Sequence, residues 1–139
     1  MGIQVFAVDD DPLISELVTV VLREVGCQVE TAAHMDDALA FLETQTPDVL
    51  LLDLNMPGGG GLDILGALAR RGLSDVTRVL MLSAESDLHF IEQARALGAS
   101  GYLVKPIDPA QLVEKVRRVT VDRRVRWIDD YSVLRAPAA

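Results

Sequence analysis

The chain has 139 residues, half of them apolar, and its 21 acidic and 13 basic residues leave a formal net charge of −8. That length suits one compact domain. The acidity argues against a nucleic-acid binder, which needs a basic stripe to meet phosphates. No apolar run approaches the ~20 residues that cross a bilayer, and the first residues lack the regions of a secretion signal, so the expected address is cytoplasmic. The one cysteine, Cys27, has no partner for an internal disulfide and is expected as a small buried hydrophobe at a strand start.

Short apolar runs alternate with amphipathic stretches. Residues 3–8 read as a buried strand. Residues 12–25 read as a helix, with Leu13, Leu17, Val21 and Val25 four apart and Ile14, Val18 and Leu22 beside them. Asp11 suits its N-cap, Pro12 its first turn and Gly26 its end. A second strand follows at 27–31 and a second helix at 35–44. After Pro47, residues 48–53 form the strongest strand signal, since a continuous apolar run implies burial on both faces. Beyond Pro57 and the glycines at 58–61, a third helix is expected over 62–71 and a fourth strand over 77–82. A fourth helix over 87–97, a fifth strand over 102–104 and a fifth helix opened by Pro109 complete the series.

Five β-α units with buried strands imply a parallel sheet with helices on both faces. Ligands in such sheets bind beyond the carboxyl ends of the strands, where strand order reverses. Those ends carry Asp9, Asp10 and Asp11, then Asp53 and Asn55, then Ser83 and Glu85, then Lys105 and Pro106. Carboxylates brought so close repel one another, and a divalent cation resolves the repulsion. Oxygen donors of this kind suit Mg²⁺, which keeps coordination free for a phosphate oxygen. With Lys105 as a second positive charge and Ser83 as a donor, the pocket suits a transferring phosphoryl group, and Asp53 can serve as nucleophile.

Val8-Asp9-Asp10-Asp11-Pro12, Leu51-Leu52-Asp53-Leu54-Asn55-Met56-Pro57, Met81-Leu82-Ser83-Ala84 and Gly101-Tyr102-Leu103-Val104-Lys105-Pro106 together resemble the four signature segments of bacterial response-regulator receiver domains. The resemblance covers about residues 3–119. It implies a flavodoxin-like α/β fold, (βα)5, with strand order 2-1-3-4-5. It also implies a receiver domain over 1–120, with residues 121–139 as a tail, helix extension or linker. Asp53 matches the phosphoacceptor. Asp10 matches a direct Mg²⁺ ligand, Asp9 one acting through water, and Asn55 a backbone-carbonyl ligand. Lys105 matches the residue on the phosphoryl oxygens, with Pro106 following a cis bond, and Ser83 and Tyr102 match the switch pair. The face of the fourth helix, fifth strand and fifth helix is then expected to shift between two arrangements. The donor would be a sensor histidine kinase or a histidine phosphotransfer protein. A dimer formed on phosphorylation is left open.

Asn55 and Glu85 occupy the positions that tune phosphoryl lifetime in this family and resemble the pair of chemotaxis receivers, which implies a short-lived phospho-state. Glycines replace the common residues of the loop at 58–61, which is expected to be mobile. The competing readings are a partner-binding pseudo-receiver and an aspartate-nucleophile phosphatase. The latter places a general acid two residues after the nucleophile, where this chain has Asn55, which cannot exchange a proton. His34 and His89 lack ligand-like companions, and Arg117, Arg118, Arg123, Arg124 and Arg126 read as a solvated face. Val121, Val125 and Ile128 have helical spacing, which allows the last helix to run on as one of the alternatives for the tail, and the end at 135–139 is expected to fray.

Overall fold

The computed structural model describes residues 2–56, 60–73, 76–122 and 125–128. The apolar runs form strands β1 (Gln4–Val8), β2 (Gln28–Ala32), β3 (Val49–Asp53), β4 (Arg78–Ser83) and β5 (Gly101–Val104). The amphipathic stretches between and after them form α1 (Pro12–Glu24), α2 (Met35–Thr44), α3 (Gly61–Arg70), α4 (Ile91–Ala96) and α5 (Pro109–Val121). The strands pair in parallel in the order β2-β1-β3-β4-β5, the flavodoxin-like arrangement. Every residue of β3, in the middle, is buried.

Alternation along the strands divides the core in two. Val5, Ala7, Val49, Leu51, Leu80, Leu82 and Leu103 face Val18 and Leu22 of α1 and Leu112, Val116 and Val119 of α5. Phe6, Val8, Leu50, Leu52, Val79 and Met81 face α2, α3 and α4 through Leu42, Ile64, Leu65, Leu68 and Ile91. Asp11 caps α1 by accepting from the Leu13 amide at 2.9 Å, and Asp108 caps α5 by accepting from the Ala110 amide at 3.0 Å. The sequence stripe on α1 is wider than the face the sheet covers, and Leu13 stands 72% exposed. Cys27 is buried, and burial pushes its thiol pKa up, so it packs as a hydrophobe rather than reacting.

One expectation is corrected and one alternative is set aside. The segment expected as one helix over 87–97 is a 3₁₀ segment, Glu85–Phe90, followed by the short α4. No residue of the 3₁₀ segment is buried, whereas Ile91 and Ala94 are. With only its last residue, Phe90, packed against the core, Ser86 and Asp87 favour local turns over helix, and α-helix starts where full burial starts. Of the alternatives for the segment after α5, the described residues do not continue the helix. Val121 is 71% exposed, Asp122 is extended (φ −123°, ψ 100°), and Ile128 forms a parallel bridge with Gly101. Burying Ile128 to 1% exposure against the core outweighs prolonging a helix with no sheet beneath it.

The expected mobility of Gly58 and Gly59, the places of Arg123 and Arg124, and the frayed end lie outside the described residues. Among the described residues no helix is long and apolar enough to cross a membrane.

Candidate functional site

The sheet reverses its order between β1 and β3, and the residues that follow these strands lie at that point. Asp9 leaves β1 with its amide donating to the Ala32 carbonyl at the end of β2 (3.1 Å). Its side chain is buried, and Oδ1 accepts from the Asp11 amide at 2.9 Å. The hydrogen bond that caps α1 and the one that holds Asp9 thus belong to the same tight turn. Asp10, between them, is exposed at the mouth. Asp53 ends β3 with 4% of its surface exposed, and its Oδ1 accepts from the Asn55 amide at 3.1 Å.

Lys105 arrives from the far side. Its amide donates to the Ser83 carbonyl at 2.8 Å, and the Lys105–Pro106 peptide is cis. Its ammonium lies 2.9 Å from Asp9 Oδ2 and 3.4 Å from Asp53 Oδ1. Carboxylate oxygens of Asp9, Asp10 and Asp53 lie within 4.8 Å of one another. Three carboxylates against one ammonium leave an excess of negative charge. Burial, and then the Asp9 charge, push the Asp53 pKa up to about 6, while Lys105 and the Asn55 amide pull the other way. Burial works against the Lys105 charge, but Asp9 and Asp53 outweigh it and hold its pKa above the ordinary value.

This donor set fits a hard divalent cation. All the donors are oxygens, they lie within 4.8 Å of one another, and the buried Asp9 Oδ2 has only the Lys105 ammonium beside it, at 2.9 Å. The acidic triad could therefore hold a metal ion.

The model of the response regulator receiver domain family matches residues 5–117. The chain belongs to that family. The receiver is 36% identical over 114 residues to the DNA-binding response regulator MtrA of Mycolicibacterium smegmatis, covering 82% of this chain and 49% of that protein. It is 33% identical over 119 residues to the phosphate regulon transcriptional regulatory protein PhoB of Klebsiella pneumoniae, covering 86% and 52%. The chain thus spans about half the length of these curated relatives. Among solved structures, the chemotaxis response regulator CheY4 of Vibrio cholerae matches with a TM-score of 0.79 at 35% identity, over 86% of this chain and 99% of that one. The receiver domain of the Francisella response regulator 1452 matches at 0.78 and 26%, over 86% and 97%. Receivers are signalling modules of two-component systems, and membership implies a histidine kinase as the general partner class.

The receiver's remaining predicted residues sit around the pocket without all entering it. Ser83 ends β4 fully buried, and its hydroxyl donates to the Ala84 carbonyl at 3.0 Å. Tyr102, on β5, is half-buried with its ring 6.0 Å from that of Trp127. Glu85 is exposed. His34 and His89 are exposed too.

Two residues at the pocket escaped the sequence reading. The Asn55 side-chain amide donates to Asp87 Oδ2 at 2.5 Å, tying the turn after β3 to the 3₁₀ segment. Asp87 was hidden because its segment was read as regular helix. Gly61 opens α3 directly over β3, where a Cβ would meet the Asp53 carbonyl oxygen at 2.3 Å. A run of glycines gave no sign that one of them was required by close approach.

Proposed function

We propose that this receiver accepts a phosphoryl group on Asp53 from a phosphohistidine donor, with Mg²⁺ held by Asp9, Asp10, Asp53 and the Asn55 carbonyl. The observation that carries this reading is the Lys105 ammonium standing between Asp9 and Asp53 beside a third carboxylate. Oδ1 of Asp53 is engaged by the Asn55 amide and Lys105, so Oδ2 is the oxygen offered to phosphorus. The new O–P bond forms as the donor's N–P bond breaks, and the electron pair stays on the departing imidazole, which takes up a proton. Bound Mg²⁺ would neutralise charge on the phosphoryl oxygens. Lys105 would turn from Asp9 toward those oxygens, and the Ser83 hydroxyl would exchange the Ala84 carbonyl for one of them. Tyr102 would follow as the second switch residue, biasing the α4-β5-α5 face between two arrangements. Attack by water at phosphorus restores the carboxylate and releases inorganic phosphate, so turnover is confined to the protein's own phosphoryl group.

By the family resemblance, Asn55 and Glu85 would tune the attack of that water, and a short-lived phospho-state follows from this reading. The receiver domain is taken as residues 1–120 and the tail as 121–139, with action in the cytoplasm. A sensor histidine kinase or a histidine phosphotransfer protein supplies the group. Acetyl phosphate with Mg²⁺ should add the mass of one phosphoryl group to the intact chain, and Asp53→Ala should abolish the addition. A wild-type chain that no phosphoryl donor labels would favour a pseudo-receiver that only binds partners.

A further inference from the structure

Residues 125–128 follow the last of the five β-α units, yet they are built onto the edge of the sheet. The buried Arg78, at the start of β4, donates from Nη2 to the Val125 carbonyl and from Nε to Ser100 Oγ at 3.1 Å. The Ile128 amide donates to the Ser100 carbonyl at 2.7 Å, and Ile128 pairs in parallel with Gly101. A Cβ on Gly101 would stand 2.7 Å from the Ile128 carbonyl oxygen, so this close approach depends on glycine. Trp127 lies between these anchors, 6.0 Å ring to ring from Tyr102, with the Arg95 guanidinium 5.2 Å from its centroid. The Lys115 ammonium lies 5.0 Å from the Tyr102 ring and donates to the Tyr102 carbonyl at 2.6 Å.

We propose that residues 125–128 form an intramolecular strap that closes the outer edge of β5, and that strap docking is coupled through β5 to occupancy of the Asp53 pocket. An open strand edge is a template for pairing with another chain, and the strap covers it. The coupling follows from the shortness of the strand. Gly101 receives the strap, Tyr102 meets Trp127, and Lys105, immediately past the strand, holds Asp9 and Asp53. At the usual rise per residue the two contacts lie only about 13 Å apart on one strand. A phosphoryl group that draws Lys105 away from Asp9 acts on the strand that seats the strap. By linkage, a displaced strap must alter the pocket's affinity by the same factor. The coupling, though not the closure of the edge, rests on the phosphoacceptor reading.

Trp127 is the chain's only tryptophan, so its emission reports the strap in the unlabelled full-length chain. Gly101→Ala should push the strap off. Trp127 emission should then shift to the red, and the Ile128 amide should exchange faster by on the order of tenfold or more. Ile128→Asp should give the same red shift, with circular dichroism confirming that the sheet and helices persist. If both variants keep wild-type emission, the strap is wrong. In the wild-type chain, acetyl phosphate with Mg²⁺ should change Trp127 emission and Ile128 exchange in step with the phosphoryl mass gain. A chain that gains the mass with both signals unmoved overturns the coupling alone. A chain that never gains it overturns the coupling together with the phosphoacceptor reading, and the two variants still decide the strap.

Discussion

The Lys105 ammonium stands closer to Asp9 than to Asp53, at 2.9 Å against 3.4 Å. Lys105 is therefore first the counter-charge of a fully buried carboxylate oxygen and only second a partner of Asp53. Phosphorylation would exchange one of these roles for a contact to phosphoryl oxygens, and the cost of leaving Asp9 is reduced once a cation shares that carboxylate.

Replacing Lys105 by Ala should destabilise the metal-free protein at pH 7.5 by roughly 1 to 3 kcal/mol. This is less than the loss of a fully buried pair, because a quarter of the lysine side chain is exposed. Mg²⁺ should restore part of that stability by supplying the missing positive charge. Urea unfolding with EDTA and with Mg²⁺ measures both, and a variant as stable as the wild type in EDTA would contradict the pairing.

The raised pKa of Asp53 makes the stability depend on pH. A carboxyl at about 6 in the folded chain and 3.8 when unfolded binds protons more tightly when folded. Its contribution is fully present below the unfolded value and is lost as pH rises through the folded one. In EDTA, the wild type should lose on the order of 2 kcal/mol between pH 4 and pH 7 relative to Asp53→Asn, which lacks this titration. Parallel stability profiles for the two proteins across that window would refute it. Protons and Mg²⁺ compete for the same oxygens, so Mg²⁺ affinity should fall as pH drops below about 6.

Gly61→Ala places a methyl 2.3 Å from the Asp53 carbonyl oxygen, a backbone atom that cannot step aside alone. The substitution should cost roughly 1 to 3 kcal/mol of stability, as overpacking does. It should also weaken Mg²⁺ binding by moving Asp53. Gly66→Ala, on the same helix with only the flexible Arg70 side chain nearby at 3.4 Å, is the control: it should leave Mg²⁺ binding unchanged and raise stability by about 0.5 to 1 kcal/mol, as alanine for glycine in a helix does.

The hydrogen bond from Asn55 to Asp87 holds the carboxamide toward the 3₁₀ segment. Asp87→Ala should free it and change the decay rate of phosphorylated Asp53 by about two- to tenfold, with little effect on folding because both groups sit at the surface. Loss of label from the purified phospho-form gives the rate directly. The wild-type half-life should be minutes or less, and a half-life of hours would contradict a short-lived state.

Periodicity alone was enough for the (βα)5 order, because a strand buried on both faces must be apolar throughout while its covering helix must be amphipathic. Val49 to Leu52 and the stripe through Val18 and Leu22 show this directly. The same order placed Asp9, Asp10, Asp53 and Lys105 at one edge before any distance was known, since parallel strands send every carboxyl end the same way. Tertiary packing decided what local pattern cannot encode. Asp87 meets Asn55 across 32 positions of sequence, and Gly61 is required by a backbone brought to it from β3. Residues 121, 125 and 128 keep helical spacing, yet the helix ends at the first of them and the last pairs at the edge of β5. Spacing records only which residues are apolar, whereas the place where an apolar residue finds cover depends on which surface the rest of the chain has left open.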